Sequence, residues 1–137
     1  MDFTYLLTPL IAWLTAGSLK FIINSIRAKR LAFKLIGYGG MPSNHSAIVS
    51  SMTVLILLRE GIDSASFGVA LTLSFIVILD ASSLRRQVGK HAEAINRLSN
   101  RELLRERMGH SRLEILAGIM TGALVAAVMD ALAYCFV

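Results

Sequence analysis

The sequence holds a single cysteine, Cys135, and that scarcity excludes two classes at once. One thiol cannot close an internal disulfide, and no spaced cysteine set is present to bind a structural metal. No basic residue precedes the first apolar block, and no small-residue cleavage pattern follows it, so a cleaved signal peptide is not expected there. The basic stretches carry no groove-binding module, which argues against nucleic acid as a partner.

What is abundant is apolar. Hydrophobic residues make up 55% of the 137, against about 45–50% in soluble domains. They are gathered in four blocks, near Tyr5–Ile23, Ser46–Leu58, Ser64–Leu79 and Leu113–Val137. A membrane-spanning helix needs about 20 such residues, which the first and last blocks supply. The middle two are short and need their polar flanks, a tilt or a thinner bilayer to complete a crossing. The fold expected is an all-α integral membrane protein of one domain, residues 1–137. About four transmembrane helices span approximately 4–24, 43–59, 63–81 and 112–136. An amphipathic interfacial segment, 82–111, lies between the third and fourth.

Charge sets the orientation. Arg27, Lys29, Arg30 and Lys34 follow the first block, and a longer basic series from Arg85 to Arg112 follows the third. The turn between the second and third has only Arg59, beside Glu60 and Asp63. Lys and Arg concentrate in cytoplasmic loops, so both basic loops are expected inside, at the inner membrane, with both termini outside. Such loops also attract anionic headgroups, and they can build a phosphate site at the cytoplasmic face.

Within 82–111, Leu84, Val88, Ala92, Ile95 and Leu98 recur at helical spacing. Ser99 with Glu102 forms a capping-box pattern, which predicts a second short helix through RELLRERM. Glu102 and Arg105 could pair on its surface, and Arg101, Arg105 and Arg107 read as interfacial charges. Asn96 could end the first of these helices or meet a ligand. His91 reads as peripheral. Asp130 is costly in lipid and should face protein or lie near the outer surface, away from the site. Gly118 and Gly122 form a pair suited to close helix packing within or between chains.

Two histidines stand at helix mouths on the basic side. In GGMPSNHSA (39–47) the glycines permit a tight turn, Pro42 precedes the helix, Ser43 caps it and His45 follows. In MGHSRLEILAG (108–118), Gly109 breaks the chain and Ser111 with Glu114 forms a capping box beside His110. Helix N-termini offer free N–H groups and a positive dipole end to a phosphate; two lie here, at Ser43 and Ser111, and Ser43 is expected among the phosphate-binding residues. Arg85 and Arg86 add guanidinium forks, one of which Asp80 could orient. Hydrolysis through a covalent intermediate needs a nucleophile and an acid, and histidine can be either. Glu114 lies one helical turn after His110 and could fix its tautomer, leaving His45 to protonate the leaving oxygen.

Together GGMPSNHSA, DASSLRRQVGKHAEAIN and MGHSRLEILAG resemble the divergent branch of the type 2 phosphatidic acid phosphatase superfamily. Its members are also labelled acid phosphatase/vanadium-dependent haloperoxidase-related. Pro42-Ser43-Asn44-His45 is similar to the superfamily's Pro-Ser-x-His motif, with Asn44 where glycine is usual. The resemblance implies that His45 is the general acid and that His110 is the nucleophile, oriented by Glu114 in place of Asp. It assigns the phosphate-binding arginine to Arg85 or Arg86. For the superfamily's first motif, a lysine followed at a distance by Arg-Pro, Lys34 is the best stand-in, with Arg27 and Arg30 weaker. The implied activity is a membrane phosphatase acting on a phosphorylated lipid or polyprenyl phosphate, with no metal or other cofactor. The alternative is a non-catalytic protein that binds or moves anionic lipids with the same basic site. Four thin spans enclose a site poorly alone, which admits a homodimer.

Overall fold

The computed structural model describes residues 3–29, 31, 40–100, 103–106 and 108–135. Arg30, Lys34, Arg101, Glu102 and Arg107 lie outside the described residues. Among the described residues five helices follow in order: α1 Thr4–Ala28, α2 Asn44–Glu60, α3 Ala65–Ser82, α4 Leu84–Ser99 and α5 Arg112–Cys135. No strand occurs among the described residues. Among the described residues three stretches are long and apolar enough to cross a membrane: Thr4–Ala28, Arg112–Cys135, and the run Ala65–Ser99 that joins α3 to α4.

The core is built from small side chains. Ala12, Ala16, Ala47 and Ala126 are buried on three helices, with Thr8, Ser46, Ser51 and Thr53 among them. Most large apolar side chains point outward, as Leu10, Val69, Phe75, Leu116 and Leu124 do. That inversion suits a bundle whose surroundings are as apolar as its side chains, where tight backbone contact drives association. α2 packs on α1, α3 and α5 and so occupies the centre. Its hydroxyls bond inside the bundle. Thr53 Oγ1 donates to Val49 O (2.9 Å) and lies 2.7 Å from Ser74 Oγ on α3. A short, serine-rich helix is tolerable there because its neighbours shield it.

α5 lies alongside α2 in the same direction. Ser43 N–H donates to Glu114 O (2.9 Å) at one end, and Arg59 meets Asp130 at the other. The Gly118 and Gly122 pair is used within the chain. A Cβ on Gly118 would lie 2.5 Å from Ser43 O, and one on Gly122 would lie 2.3 Å from Ala47 O.

The far end is tied by side chains. Arg59 Nε donates to Asp130 Oδ1 (2.7 Å) and its guanidinium lies 5.2 Å from the Tyr5 ring centroid. Tyr5 Oη donates to Glu60 Oε1 (2.9 Å). Asp130 thus faces protein, with 14% of its side chain exposed against 13% for Arg59. Removing one member of a buried pair leaves the other charge uncompensated. Asp130→Ala is therefore expected to cost about 3 kcal/mol, read by thermal unfolding in detergent, whereas an unchanged midpoint would make the pair incidental.

Between α3 and α4 the hydroxyls of Ser82 and Ser83 both donate to Leu79 O (3.1 and 2.7 Å). Such back-bonding bends helices, and the chain breaks at Ser83. Asn100, in the left-handed region at φ 51°, then ends α4. The helix expected through RELLRERM is not formed by its described residues, 103–106 and 108. They run as an irregular strap because the buried side chain of Asn96 takes the N–H groups of Leu103 and Leu104.

Candidate active site

α2 begins at a built turn. Ser43 is the N-cap, and its Oγ accepts from Ser46 N (3.4 Å) and Ser46 Oγ (3.0 Å). Ser43 is fully buried, with its hydroxyl held as the cap of α2. Gly40, at φ 134°, supplies the backbone freedom that the preceding turn requires. His45 follows, exposed at the head of α2.

α5 begins with a reciprocal capping box. Glu114 N donates to Ser111 Oγ (3.2 Å) and Ser111 N donates to Glu114 Oε2 (3.0 Å). The same Glu114 oxygen lies 3.1 Å from His110 Nδ1. The His110 side chain is only 8% exposed. The backbone N–H of His110 donates to Ala81 O (3.0 Å), which fixes the residue against the end of α3. Gly109 must be glycine there: φ is 86°, and a Cβ would lie 2.7 Å from Arg86 Cγ. Burial holds the His110 imidazole below its ordinary pKa. The Glu114 hydrogen bond opposes that shift, while Lys20 and Arg85 add to it.

Arg85 is the inward arginine. Its Nε donates to Asp80 Oδ2 (2.7 Å), and its charge acts on both His45 and His110. Arg86 is exposed, with its stem over Gly109. The charge of His110 also acts on His45. The structure therefore gathers His45, His110, Glu114, Arg85 and Asp80 at one end of the bundle, from four different segments of chain.

Lys20 joins them, and the sequence reading did not assign it. It is half-buried on α1, and the charges of Glu114 and Arg105 act on it. It acts in turn on both histidines. Two signals could have found it. It is the lone charge within the first apolar block, and such charges mark function by default. It also precedes Arg27 on the same helix, with Ala28 where the superfamily pattern has proline.

Below His45 the same face of α2 continues with Val49, Met52 and Ile56, at helical spacing. These residues, with Pro9 on α1 and Val69 on α3, line an apolar groove of about 600 Å³. The chain from Ile48 to Ile56 gives it a length of about 12 Å at 1.5 Å per residue.

Fold and site together define a helical membrane protein with paired imidazoles set among fixed positive charges at one end of its bundle. The chain belongs to the Divergent PAP2 family, which matches it over residues 1–125. It is similar to the "Uncharacterized membrane protein YuiD" of Bacillus subtilis (strain 168), with 32% identity over 90% of this chain and 92% of that protein. No solved structure matches it.

Proposed function

We propose that this protein is a membrane phosphatase that hydrolyses a lipid-like phosphomonoester or diphosphate through a phosphohistidine intermediate. The observation that carries this reading is the part-buried His110 held by Glu114 at 3.1 Å and facing the charges of Arg85 and Lys20. In this scheme Glu114 accepts a hydrogen bond from Nδ1–H and leaves the other ring nitrogen, Nε2, with its lone pair free. That nitrogen attacks phosphorus as the bond to the leaving oxygen breaks. His45 gives that oxygen its proton, and the negative phosphate between the two rings favours the charged His45. The neutral His45 then takes a proton from water, whose oxygen displaces His110 and releases phosphate. Arg85, oriented by Asp80, and Lys20 neutralise the phosphoryl oxygens, with Arg86 as a further cation at the same end of the bundle.

The groove beneath His45 supports a hydrocarbon-bearing substrate, one acyl or polyprenyl chain lying along α2. Four helices, α1, α2, α3 and α5, cross the bilayer in this reading, and α4 lies at its surface. The excess of Lys and Arg in the basic loops supports a site on the cytoplasmic side of the inner membrane. A second copy would deepen the site's enclosure.

The test is phosphate release by the purified protein in detergent from a panel of lipid phosphates across pH. Attack requires neutral His110 and protonated His45, so kcat/KM should rise with pH as His110, held below its ordinary pKa by burial, loses its proton, and fall again as His45 loses the proton it must donate. A profile with no rising limb would remove His110 as the nucleophile. Absence of release from every substrate, with lipid phosphate still bound, would favour the anionic-lipid binding alternative.

A further inference from the structure

Asn96 stands on the face of α4 that packs inward, beside Gly89 and Ala92, and is 5% exposed. A side-chain amide has two donor hydrogens and two acceptor lone pairs. All four are engaged. Nδ2 donates to Leu104 O (2.7 Å) and Glu106 Oε1 (2.9 Å), and Oδ1 accepts from Leu103 N (3.0 Å) and Leu104 N (2.9 Å). Every partner lies in the strap 103–106, which has no helical bonds of its own.

Gly89, two turns earlier on α4, completes the seat. A Cβ there would lie 2.4 Å from Glu106 O, so the strap is pressed against bare helix backbone. Beyond the seat the chain passes Gly109 and delivers His110, whose N–H is held by Ala81 O. The strap also carries Arg105 to where its charge acts on Lys20. The path to His110 is therefore anchored at both ends, by Asn96 at its start and by the end of α3 at its close.

We propose that Asn96 is a positioning residue: by clamping the 103–106 strap to α4 it sets where His110 and Arg105 stand in the site. The proposal rests on the reading of His110 as nucleophile, and it acts through main chain, since Asn96 does not itself face the two histidines. An unclamped strap leaves His110 held only by its own N–H and by Glu114. A displacement of about 1 Å in a reacting group can cost about a hundredfold in rate.

The experiment compares wild type with Asn96→Ala, Asn96→Asp and the double variant Asn96→Asp/Glu106→Gln. Asn96→Ala should lower kcat about a hundredfold, with KM changed by less than about threefold. Hydrogen exchange at Leu103 and Leu104 should accelerate while the α2 and α5 amides stay protected. The NMR titration of His110 should move back toward its ordinary midpoint as the ring loosens. Asn96→Asp removes both Nδ2 donations and sets a carboxylate against Glu106. Glu106→Gln in that background restores one bond with the donor reversed, and kcat should partly recover. The pairwise rescue stays readable should Asn96→Ala fail to fold.

An unchanged kcat in folded Asn96→Ala overturns the proposal, as does a double variant no better than Asn96→Asp alone. Should wild type release no phosphate, the phosphatase reading falls by itself. The His110 titration and the local exchange then decide the clamp. An unmoved titration with unchanged exchange refutes it, and movement of both upholds it.

Discussion

Replacing His110 with alanine should abolish phosphate release, lowering the rate by at least about a thousandfold in a protein that still folds. The substitution removes the only group in the scheme that bonds to phosphorus. It leaves the cations in place, because Arg85 is held by Asp80 and not by the imidazole. Lipid phosphate should therefore still bind, and the loss should fall on kcat. The capping box should survive too, since Ser111 and Glu114 bond to one another without the ring. Rapid-quench trapping under non-acidic conditions should yield phosphohistidine from wild type and none from His110→Ala. Full turnover by a folded His110→Ala protein would remove the residue from the mechanism.

The second large effect is expected where two helices touch. Gly122→Ala would place a methyl group 2.3 Å from Ala47 O and 2.9 Å from Ser51 N. Both contacts are backbone atoms, which cannot rotate away, so α5 must move off α2. Overpacking of this kind costs about 1–3 kcal/mol. Here it should also lower activity, because α2 carries His45 and the start of α5 carries Glu114. Gly68→Ala on α3 is the control: nothing lies within 4 Å of the added methyl, and alanine favours helix over glycine by roughly 0.5–1 kcal/mol. Thermal unfolding in detergent should fall for Gly122→Ala and hold or rise for Gly68→Ala. Equal stability of Gly122→Ala and wild type would show that the close approach does not bear on the packing.

The helical class and the entry to the last helix were legible because they depend on local signals. Apolar blocks report helices wherever hydrocarbon surrounds them, and the Ser111–Glu114 box closes within one turn. The RELLRERM segment was not legible, although it carries an equally good capping pattern at Ser99 and Glu102. Its fate depends on Asn96, whose amide competes for the strap's N–H groups from within another helix. Local spacing cannot reveal that competition. Lys20 was missed for a related reason. It lies inside the first apolar block, and only the packing of α1 against α2 and α5 brings its charge to the histidines. The choice between Arg85 and Arg86 also needed three dimensions. Neighbours in sequence leave a helix about 100° apart, and only Arg85 turns toward Asp80.

The smallness of the buried side chains reverses the usual map of mutational tolerance. In a water-soluble domain the big aliphatics are irreplaceable and the outer surface drifts freely. Here the largest fully buried side chain is Leu55, followed by Thr8, Ser43, Ser46 and Ser51. The outer leucines and valines need only stay greasy, so many exchanges among them should pass unnoticed. It is the residues with almost no volume to lose, glycine, alanine and serine, at which a single added carbon is felt from one end of the bundle to the other.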